Sequence, residues 1–311
     1  MLSASLCCAA EWKPERNIEI MVGTAPGSRQ DRTARVVQKI WHDNKFLPVP
    51  QAVFNRPGGG GEIAWTHFAR FPGDGHYVAA TSPAMISNQL LGKSKLTLAD
   101  VTPLALLNAG YTTFSVKADH AIKSMADLAA RLKKDPASVT FGFGTSIGNS
   151  LHTTGTLYGH ALGVDARKLK MVVFNASSEA MTAVMGGHVD VLITSFSTIL
   201  SPVANNQMRV LAVASPARNS AFADVPTFRE SGIDLVFYNW NGIVGPKGLS
   251  DAQIAYWDGV LAKTVATSEW KTTMARDQQE AVYLPSHEMK KHMEKERDLY
   301  RTSLLQLGLI K

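Results

Sequence analysis

Two loops of the sequence combine glycine, serine and other small residues in a pattern that suits anion binding. They are Gly23-Thr24-Ala25-Pro26-Gly27-Ser28-Arg29-Gln30-Asp31, the first loop, and Gly142-Phe143-Gly144-Thr145-Ser146-Ile147-Gly148-Asn149-Ser150, the second loop. Each follows an apolar segment and precedes a helical pattern, so the free N–H groups of a helix N-terminus lie beyond the strand end, where anions bind. The same residue types also make tight turns and N-caps, so either loop alone leaves both interpretations open.

The second loop also contains a pattern that is typical of serine hydrolases. Gly144-Thr145-Ser146-Ile147-Gly148 matches Gly-x-Ser-x-Gly, in which a sharp turn between strand and helix exposes a nucleophilic serine. A triad in chain order would use Ser146, then Asp190 or Asp224, then His287. Since His287 begins a long polar helical segment, a solvated surface histidine is the simpler interpretation. The hydrolase remains the alternative to a binding protein.

Nucleotide and metal sites are disfavoured by the spacing of the residues they need. The glycines of the second loop miss the Gly-x-Gly-x-x-Gly pattern by one residue, and Gly58-Gly59-Gly60-Gly61 lacks the Gly-Lys-Ser/Thr of a P-loop. The nine histidines include no His-x-x-x-His pair in a His-Glu context, and the two cysteines are adjacent. We therefore expect no metal ion and no cofactor.

An alternation of strands and helices must position these loops. The apolar segments predict strands over residues 18–22, 49–54, 77–81, 139–143, 169–174, 189–194 and 208–214. The helical patterns cover residues 31–41, 62–71, 124–134, 150–162, 178–185, 250–266 and 286–307, with capping boxes at Ser124 and Ser250. The sequence therefore predicts an α/β protein with largely parallel sheets and a mostly helical C-terminal part.

The length of 311 residues favours two domains. The alternation breaks over residues 101–116, and a further apolar strand over 210–213 leads into a loop. If both segments cross between domains, residues 109–214 form a second lobe inserted into a first lobe of residues 11–108 and 215–311. Two crossing segments would then form a hinge below a cleft, whereas two consecutive domains are the alternative.

The net charge of +6 is spread too evenly for a nucleic-acid surface. The excess is +3 in residues 1–107, +3 in residues 108–250 and zero in residues 251–311. Proteins that bind nucleic acids concentrate basic residues on one stripe. The composition, 45% hydrophobic and 19% charged, predicts a folded core, and no apolar run reaches the ~18 residues of a membrane span. We expect no nucleic-acid partner.

The first ten residues have the character of the end of a signal peptide. They are small and apolar, and they end in Cys7-Cys8-Ala9-Ala10 before a polar segment, although a basic region is absent. Residues 1–10 are therefore interpreted as a remnant of a signal peptide, which predicts export from the cytoplasm.

Six segments, in order, resemble successive blocks of the tripartite tricarboxylate transporter receptors, also called Bug-type substrate-binding proteins. They are Ala25-Pro26-Gly27-Ser28-Arg29-Gln30-Asp31, Asn55-Arg56-Pro57-Gly58-Gly59-Gly60-Gly61, Asp74-Gly75-His76-Tyr77, Lys123-Ser124-Met125-Ala126-Asp127-Leu128, Gly186-Gly187-His188-Val189-Asp190 and Asp224-Val225-Pro226-Thr227. The similarity extends from about Trp12 to Gly308. Each segment is weak alone, but the ordered set is specific.

The resemblance implies a periplasmic receptor of the two-lobed, type II periplasmic-binding-protein architecture. Such a receptor closes on a small carboxylate, here a di- or tricarboxylate or an aromatic acid, and delivers it to membrane transporter subunits. We expect a monomer without enzymatic activity. A sensor input domain is a further alternative, because it would also bind a ligand. Carried over residue by residue, the binding residues are Pro26, Gly27, Ser28 and Asp31 of the first loop, Thr145, Ser146, Asn149 and His152 in and after the second, and Ser82, Ser177, Ser195 and Asn239 around the remaining cleft.

Two positions depart from the family pattern. The family often has Gly-Gly-Gly-Thr-Asp where this chain has Gly27-Ser28-Arg29-Gln30-Asp31, and a Tyr-Lys-Gly or Tyr-Arg-Gly block is here Phe174-Asn175-Ala176. An arginine in a cleft binds a carboxylate through two parallel hydrogen bonds, so Arg29 is a candidate for contact with a second carboxylate, the alternative being a solvent-facing side chain. The identity of the acid stays open.

Overall fold

A computed structural model describes residues 12–144, 146–218, 223–277 and 279–311, and it confirms the α/β class. The strands are β1 Ile18–Val22, β2 Gln51–Asn55, β3 Tyr77–Thr81, β4 Val101–Lys117, β5 Thr140–Gly144, β6 Lys170–Phe174, β7 Val191–Ser195, β8 Met208–Val213, β9 Tyr238–Pro246 and β10 Leu284–Pro285. The helices are α1 Arg29–Asp43, α2 Glu62–Phe68, α3 Ala84–Leu90, α4 Met125–Lys134, α5 Ser150–Ala161, α6 Ser177–Met185, α7 Phe196–Ala204, α8 Asp251–Ala266, α9 Ser268–Arg276 and α10 Ser286–Gln306. The predicted signal remnant and Thr145 lie outside the described residues.

Strand β4 joins two groups of strands into one continuous order, β2-β1-β3-β9-β4-β7-β5-β6. Its first part pairs with β9 from Val101 to Tyr111, and its second part pairs with β7 and β8 from Thr112 to Lys117. We call β2, β1, β3, β9 and the first part of β4 the first sheet. The second part of β4 with β7, β8, β5 and β6 is the second sheet. The stretch that breaks the alternation of the sequence, residues 101–116, is thus β4, the strand that both sheets share.

The prediction of largely parallel sheets holds only for the outer strands. β1 is parallel to β2 and β3, and β5 is parallel to β6 and β7. The pairings of β4 with β7, β8, β9 and β10 are antiparallel, as is that of β3 with β9. The reason is that β4 and β9 cross the molecule in opposite directions. An alternation of strands and helices predicts parallel neighbours and does not predict such a crossing pair. The sheet is therefore mixed at its centre.

Local sequence signals position the helices that surround the sheets. The Ser124 side chain caps α4 by accepting a hydrogen bond from the Asp127 N–H group. Ser250 and Gln253 form the predicted capping box of α8. Both caps satisfy backbone N–H groups that the first helical turn leaves without partners. Among the described helices, none has the length and apolar character needed to cross a membrane.

The hydrophobic core continues from one sheet to the other. One cluster includes Met21 of β1, Phe114 of β4 and Tyr158 of α5, and it reaches Tyr300 near the end of α10. A second cluster below the first sheet contains Trp41, whose indole N–H donates to the Thr264 hydroxyl. Helix α10 packs against β4, α3 and α5, so it contacts elements of both sheets. This shared packing connects the two sheets and the elements that carry the loops at their strand ends.

Candidate functional site

The carboxyl ends of parallel strands from both sheets meet around a cavity of about 1000 Å³. Its walls come from the loops that follow β1, β2 and β3 on one side and β5, β6 and β7 on the other. Its floor is formed by Gly110 and Thr112 of β4 and Asn239 of β9. Ligands of open α/β sheets bind at such strand ends. The cavity is therefore the candidate binding site.

Helix N-termini from both sheets surround this cavity. The first residues of α1, α3, α5 and α6 and the N-cap of α7 line it; they are Arg29, Ala84, Ser150, Ser177 and Ser195. Each N-terminus carries N–H groups without helical partners and the positive end of the helix dipole. The side chains that complete the wall are small and polar. This arrangement favours a small anion over a cation or an apolar ligand.

Arg29 places a full positive charge in the cavity. A Cβ atom at Gly110 would lie 3.0 Å from the Arg29 Nη1 atom, so the guanidinium extends over the one residue of the floor that leaves room for it. Burial, and less strongly the charge of Arg32, lowers the pKa of Arg29 to about 10, which leaves it protonated at neutral pH. No carboxylate of the described residues pairs with it, in contrast to Arg35, which binds Asp31.

Ser28 and Asp31 shape the first loop from within. Asp31 is only 2% exposed, and its carboxylate accepts hydrogen bonds from the backbone N–H of Gly27 at 2.8 Å and from Asn55 at 2.9 Å. Burial alone would raise the pKa of Asp31, but hydrogen bonds from Arg35, Gly27 and Asn55 outweigh it and hold the pKa below its usual range. The Ser28 hydroxyl accepts from the Asp31 N–H and caps α1. Neither residue is among those that line the cavity, and the same holds for Pro26 and Gly27.

His152 has a comparable place behind the second loop. It is 5% exposed, stacks on the Phe143 ring at 5.0 Å, and accepts a hydrogen bond at Nδ1 from the Gly148 N–H at 3.0 Å. Burial lowers the pKa of His152 to about 4, so the ring is neutral. Asn149 caps α5 at the His152 N–H, and its amide donates to the Gly144 carbonyl at 2.8 Å. Ser146 and Asn149 line the cavity, whereas His152 does not.

The His152→Phe variant tests this positioning. Phenylalanine retains an aromatic ring beside Phe143 but removes the acceptor, so the buried Gly148 N–H loses its partner. We expect a loss of about 1 kcal/mol in the free energy of unfolding, measured by urea titration. His42→Phe, at a histidine whose side chain is 83% exposed, is the matched control and should be near wild type. Equal effects of the two substitutions would contradict the positioning role.

The structure brings together most of the other residues that the sequence predicted. Arg29 and the side chains around the remaining cleft line one cavity with the two second-loop residues; they are Ser82, Ser177, Ser195 and Asn239. Sequence reasoning missed Asn88, Lys93, Thr112 and Tyr300, which also line it. Asn88 lies on α3, a helix that was not predicted, and its amide donates to the Gly60 carbonyl. The repeated glycines were the available signal, since four residues in succession have positive φ angles there.

Comparison with known proteins gives the family. Residues 33–307 match the family model described as "Tripartite tricarboxylate transporter family receptor". The chain belongs to this family. Protein BugT of Bordetella pertussis is 26% identical over 245 residues, 77% of this chain and 73% of BugT. The prediction from the six sequence segments is therefore confirmed.

Solved structures show the same fold. A TctC solute binding protein from Polaromonas, without ligand, has a TM-score of 0.85 at 23% identity and covers 94% of this chain and 99% of its own. MatC from Rhodopseudomonas palustris with bound malate has a TM-score of 0.70 at 20% identity, with 94% and 99% coverage. The two-lobed architecture of periplasmic binding proteins thus applies to this tripartite tricarboxylate transporter receptor.

The triad of the hydrolase alternative is not assembled in this receptor. Ser146 lies at the cavity, but the Asp190 carboxylate accepts from the Thr140 N–H at 2.7 Å, at the opposite end of β5. His287 is 68% exposed at the start of α10 and lines a different cavity. Asp224 lines a third cavity. Within the described ranges no cluster of three or more His, Cys, Asp or Glu side chains is arranged to hold a metal ion.

Proposed function

We propose that this receptor binds a small organic carboxylate in the cavity between its sheets and delivers it to a membrane transporter. The observation that carries the proposal is Arg29, a half-buried cation that has no acidic partner among the described residues and shares the cavity with four other helix N-terminal positions. An unpaired buried charge is costly, and an anionic ligand would neutralise it. The malate bound to MatC supports a ligand of this chemical class.

The proposed ligand contacts follow from the lining of the cavity. Ser146, Asn149 and the backbone at the start of α5 would hold one carboxylate, and Arg29 would hold a second one from the floor. The side chains between these two points would complete the shell; they are Ser82, Ser177, Ser195 and Asn239. Asp31, Ser28 and His152 would act indirectly, by shaping the two loops.

The proposed movement is a closure of two lobes. We place lobe 2 at residues 109–214 and lobe 1 at residues 11–108 and 215–311, with β4 as one crossing segment. A ligand that contacts loops of both lobes would stabilise the closed state by its differential affinity. No covalent step is required, and we propose periplasmic action as a monomer without metal or cofactor.

A thermal-shift experiment tests the proposed function. Malate, adipate, citrate and benzoate are titrated into the purified protein, and the melting temperature is recorded at each concentration. A ligand that binds only the folded state raises the melting temperature progressively with concentration. We expect at least one acid to do so, with choline as the cationic control. No response to any acid would contradict the proposal.

The Ser146→Ala variant separates the receptor from a hydrolase. Removing the hydroxyl should weaken the binding of the responding acid by about 10-fold, the effect of one hydrogen bond to a charged group. The wild type should not react with a fluorophosphonate probe, since neither Asp190 nor His287 lies at Ser146. Covalent labelling of Ser146 would favour the hydrolase instead.

A further inference from the structure

Helix α10 runs from the first sheet to α5, the helix that follows the second loop. Near its start, the Met289 side chain lies against Gly242 of β9, where a Cβ atom would be 2.8 Å from Met289 Cε. Further along, the Glu296 carboxyl accepts a hydrogen bond from the Trp240 indole N–H at 2.6 Å. The helix is thus anchored to β9, beside the crossing strand β4. Its end packs against α3 and α5.

The last turns of α10 contact the second loop and α5 at three points. The Tyr300 ring lines the cavity, and its hydroxyl approaches the Ser150 side chain. Leu304 lies against Gly148, where a Cβ atom would be 3.5 Å from the leucine Cδ2. The Gln306 amide and the His160 Nδ1 atom form a hydrogen bond of 2.8 Å. These contacts connect the C-terminal residues to the start, the preceding loop and the end of α5.

The contact at Gly148 also includes the first sheet's helix α3. A Cβ atom at Gly148 would lie 2.8 Å from the Cδ1 atom of Leu91, the residue that ends α3. Gly148 has a φ of +81°, so a larger residue would be disfavoured there by both conformation and space. The second loop therefore sits between Leu91 and Leu304. Two elements attached to the first sheet hold a loop attached to the second.

We infer that residues 300–306, which we call the C-terminal strap, hold the second loop and α5 in their binding position, and that Tyr300 and Gln306 are positioning residues for the ligand. This inference rests on the proposed carboxylate receptor. Breaking a strap contact would destabilise the closed arrangement of the two sheets. Ligand affinity then decreases by the same free energy, although the broken contact does not touch the ligand.

Gln306 gives the sharper test because it does not line the cavity. The Gln306→Ala variant loses the hydrogen bond to His160 and should bind malate, adipate, citrate and benzoate each about 3-fold more weakly, the range for one hydrogen bond. The dissociation constant should increase through faster dissociation of the acid, measured by stopped-flow or surface plasmon resonance. Leu309→Ala, at a residue beyond the strap that is 40% exposed, is the matched control and should bind as the wild type does.

Tyr300→Phe provides a second variant that keeps the packing. Tyr300 is fully buried, its hydroxyl has no well-aligned hydrogen-bond partner among the described residues, and burial raises its pKa well above the usual value, so it remains an O–H donor. Because this hydroxyl contributes no hydrogen bond to the strap and the phenylalanine ring keeps the packing, Tyr300→Phe should bind each acid as the wild type does. Tyr158→Phe, at a buried tyrosine whose hydroxyl donates to the Met125 carbonyl, is the control for loss of a buried hydroxyl.

The outcomes separate this inference from the proposed function. A wild type that binds none of the four acids overturns the proposed function and the strap with it. A wild type that binds, with Gln306→Ala equal to Leu309→Ala, overturns the strap alone. Weaker binding in Tyr300→Phe but not in Gln306→Ala also overturns it, since Tyr300 would then act by direct contact. Weaker binding of every acid in Gln306→Ala, with Tyr300→Phe near wild type and unchanged circular dichroism, supports the strap.

Discussion

Replacing Arg29 by glutamine is expected to weaken the binding of malate and adipate by about 100-fold. A guanidinium that holds a carboxylate through two charge-assisted hydrogen bonds contributes about 3 kcal/mol, and each 1.4 kcal/mol is tenfold in affinity. Arg29→Lys keeps the charge but not the bidentate geometry, so its affinity for both acids should decrease about 10-fold. Isothermal titration calorimetry with each acid measures both values. The affinity for benzoate, which has one carboxylate, should decrease much less.

The same substitution is expected to stabilise the protein without ligand. Arg29 is half-buried beside Arg32 and has no acidic partner in the described part of the chain. Desolvation lowers its pKa to about 10, so folding is opposed by the partial loss of hydration of its charge. Arg29→Gln should therefore raise the melting temperature of the free protein while it reduces acid binding, a trade-off typical of functional sites.

Arg131→Gln, at an exposed arginine of α4, is the control for a change of net charge and should alter neither quantity. A free Arg29→Gln protein that is less stable than the wild type would indicate a structural role for the guanidinium. Unchanged affinity for both diacids would contradict the proposed contact.

The local elements were predictable where short-range signals determine them. β1 and β3 have the bounds that their apolar segments predict, and the capping box at Ser250 forms as expected. At Ser124 the serine caps α4, but the Asp127 carboxylate accepts from the Lys123 N–H group. β9 was missed because its glycines, asparagines and terminal proline have low strand propensity, and its conformation depends on pairing with β4. Such pairing joins residues far apart in the chain, which a local pattern does not contain.

The candidate site was predictable to the level of loops but not of side chains. N-capping and ligand binding use the same residue types, so the sequence did not distinguish Ser28, which caps α1, from Ser146, which lines the cavity. The environment of Arg29 depends on Gly110 of β4, and that of Tyr300 depends on where α10 crosses the cleft. Both are properties of tertiary packing, to which residue spacing gives no access.

Glu296 predicts a second large effect, on the pH dependence of stability. Burial raises the pKa of Glu296 to about 8, despite the hydrogen bond from Trp240, which lowers it. Tyr238 of β9, with His292 and Tyr300 of α10, completes its surroundings, and burial lowers the pKa of His292 to about 4. At neutral pH the carboxyl is therefore protonated and lies among neutral groups.

The titrations of two histidines and of Glu296 act in opposite directions and place the maximum of the free energy of unfolding near pH 6.5. Between pH 4 and 6.5 the unfolded chain holds protons on His152 and His292 that the folded protein lacks, so stability increases with pH. From the unfolded value of 4.5 up to about 8, the folded protein holds a proton on Glu296 that the unfolded chain has released, so this residue's contribution decreases with pH. Two histidines outweigh one glutamate below pH 6.5. Above pH 6.5 the proton on Glu296 outweighs those that the unfolded histidines still hold.

The free energy of unfolding is therefore expected to decrease by about 1 kcal/mol between pH 6.5 and 8. One proton changes it by ~1.4 kcal/mol per pH unit, Glu296 is half ionised at pH 8, and the unfolded histidines still hold part of a proton each near pH 6.5. Glu296→Gln keeps an oxygen acceptor for the Trp240 N–H but does not titrate, so its free energy of unfolding should not decrease over this range. Urea titrations at both pH values measure the difference. In Glu294→Gln, at an exposed residue of the same helix, the free energy of unfolding should decrease as it does in the wild type.

A wild-type stability that is constant from pH 6.5 to 8 would show that Glu296 is already ionised in the folded protein. An equal decrease in Glu296→Gln and Glu294→Gln would assign the pH dependence to other groups. The expected result, a decrease that only Glu296→Gln removes, would establish that a neutral carboxyl anchors α10 to β9. In that case alkaline pH should also weaken acid binding, because the negative charge that forms at Glu296 lies beside Tyr300 at the cavity wall.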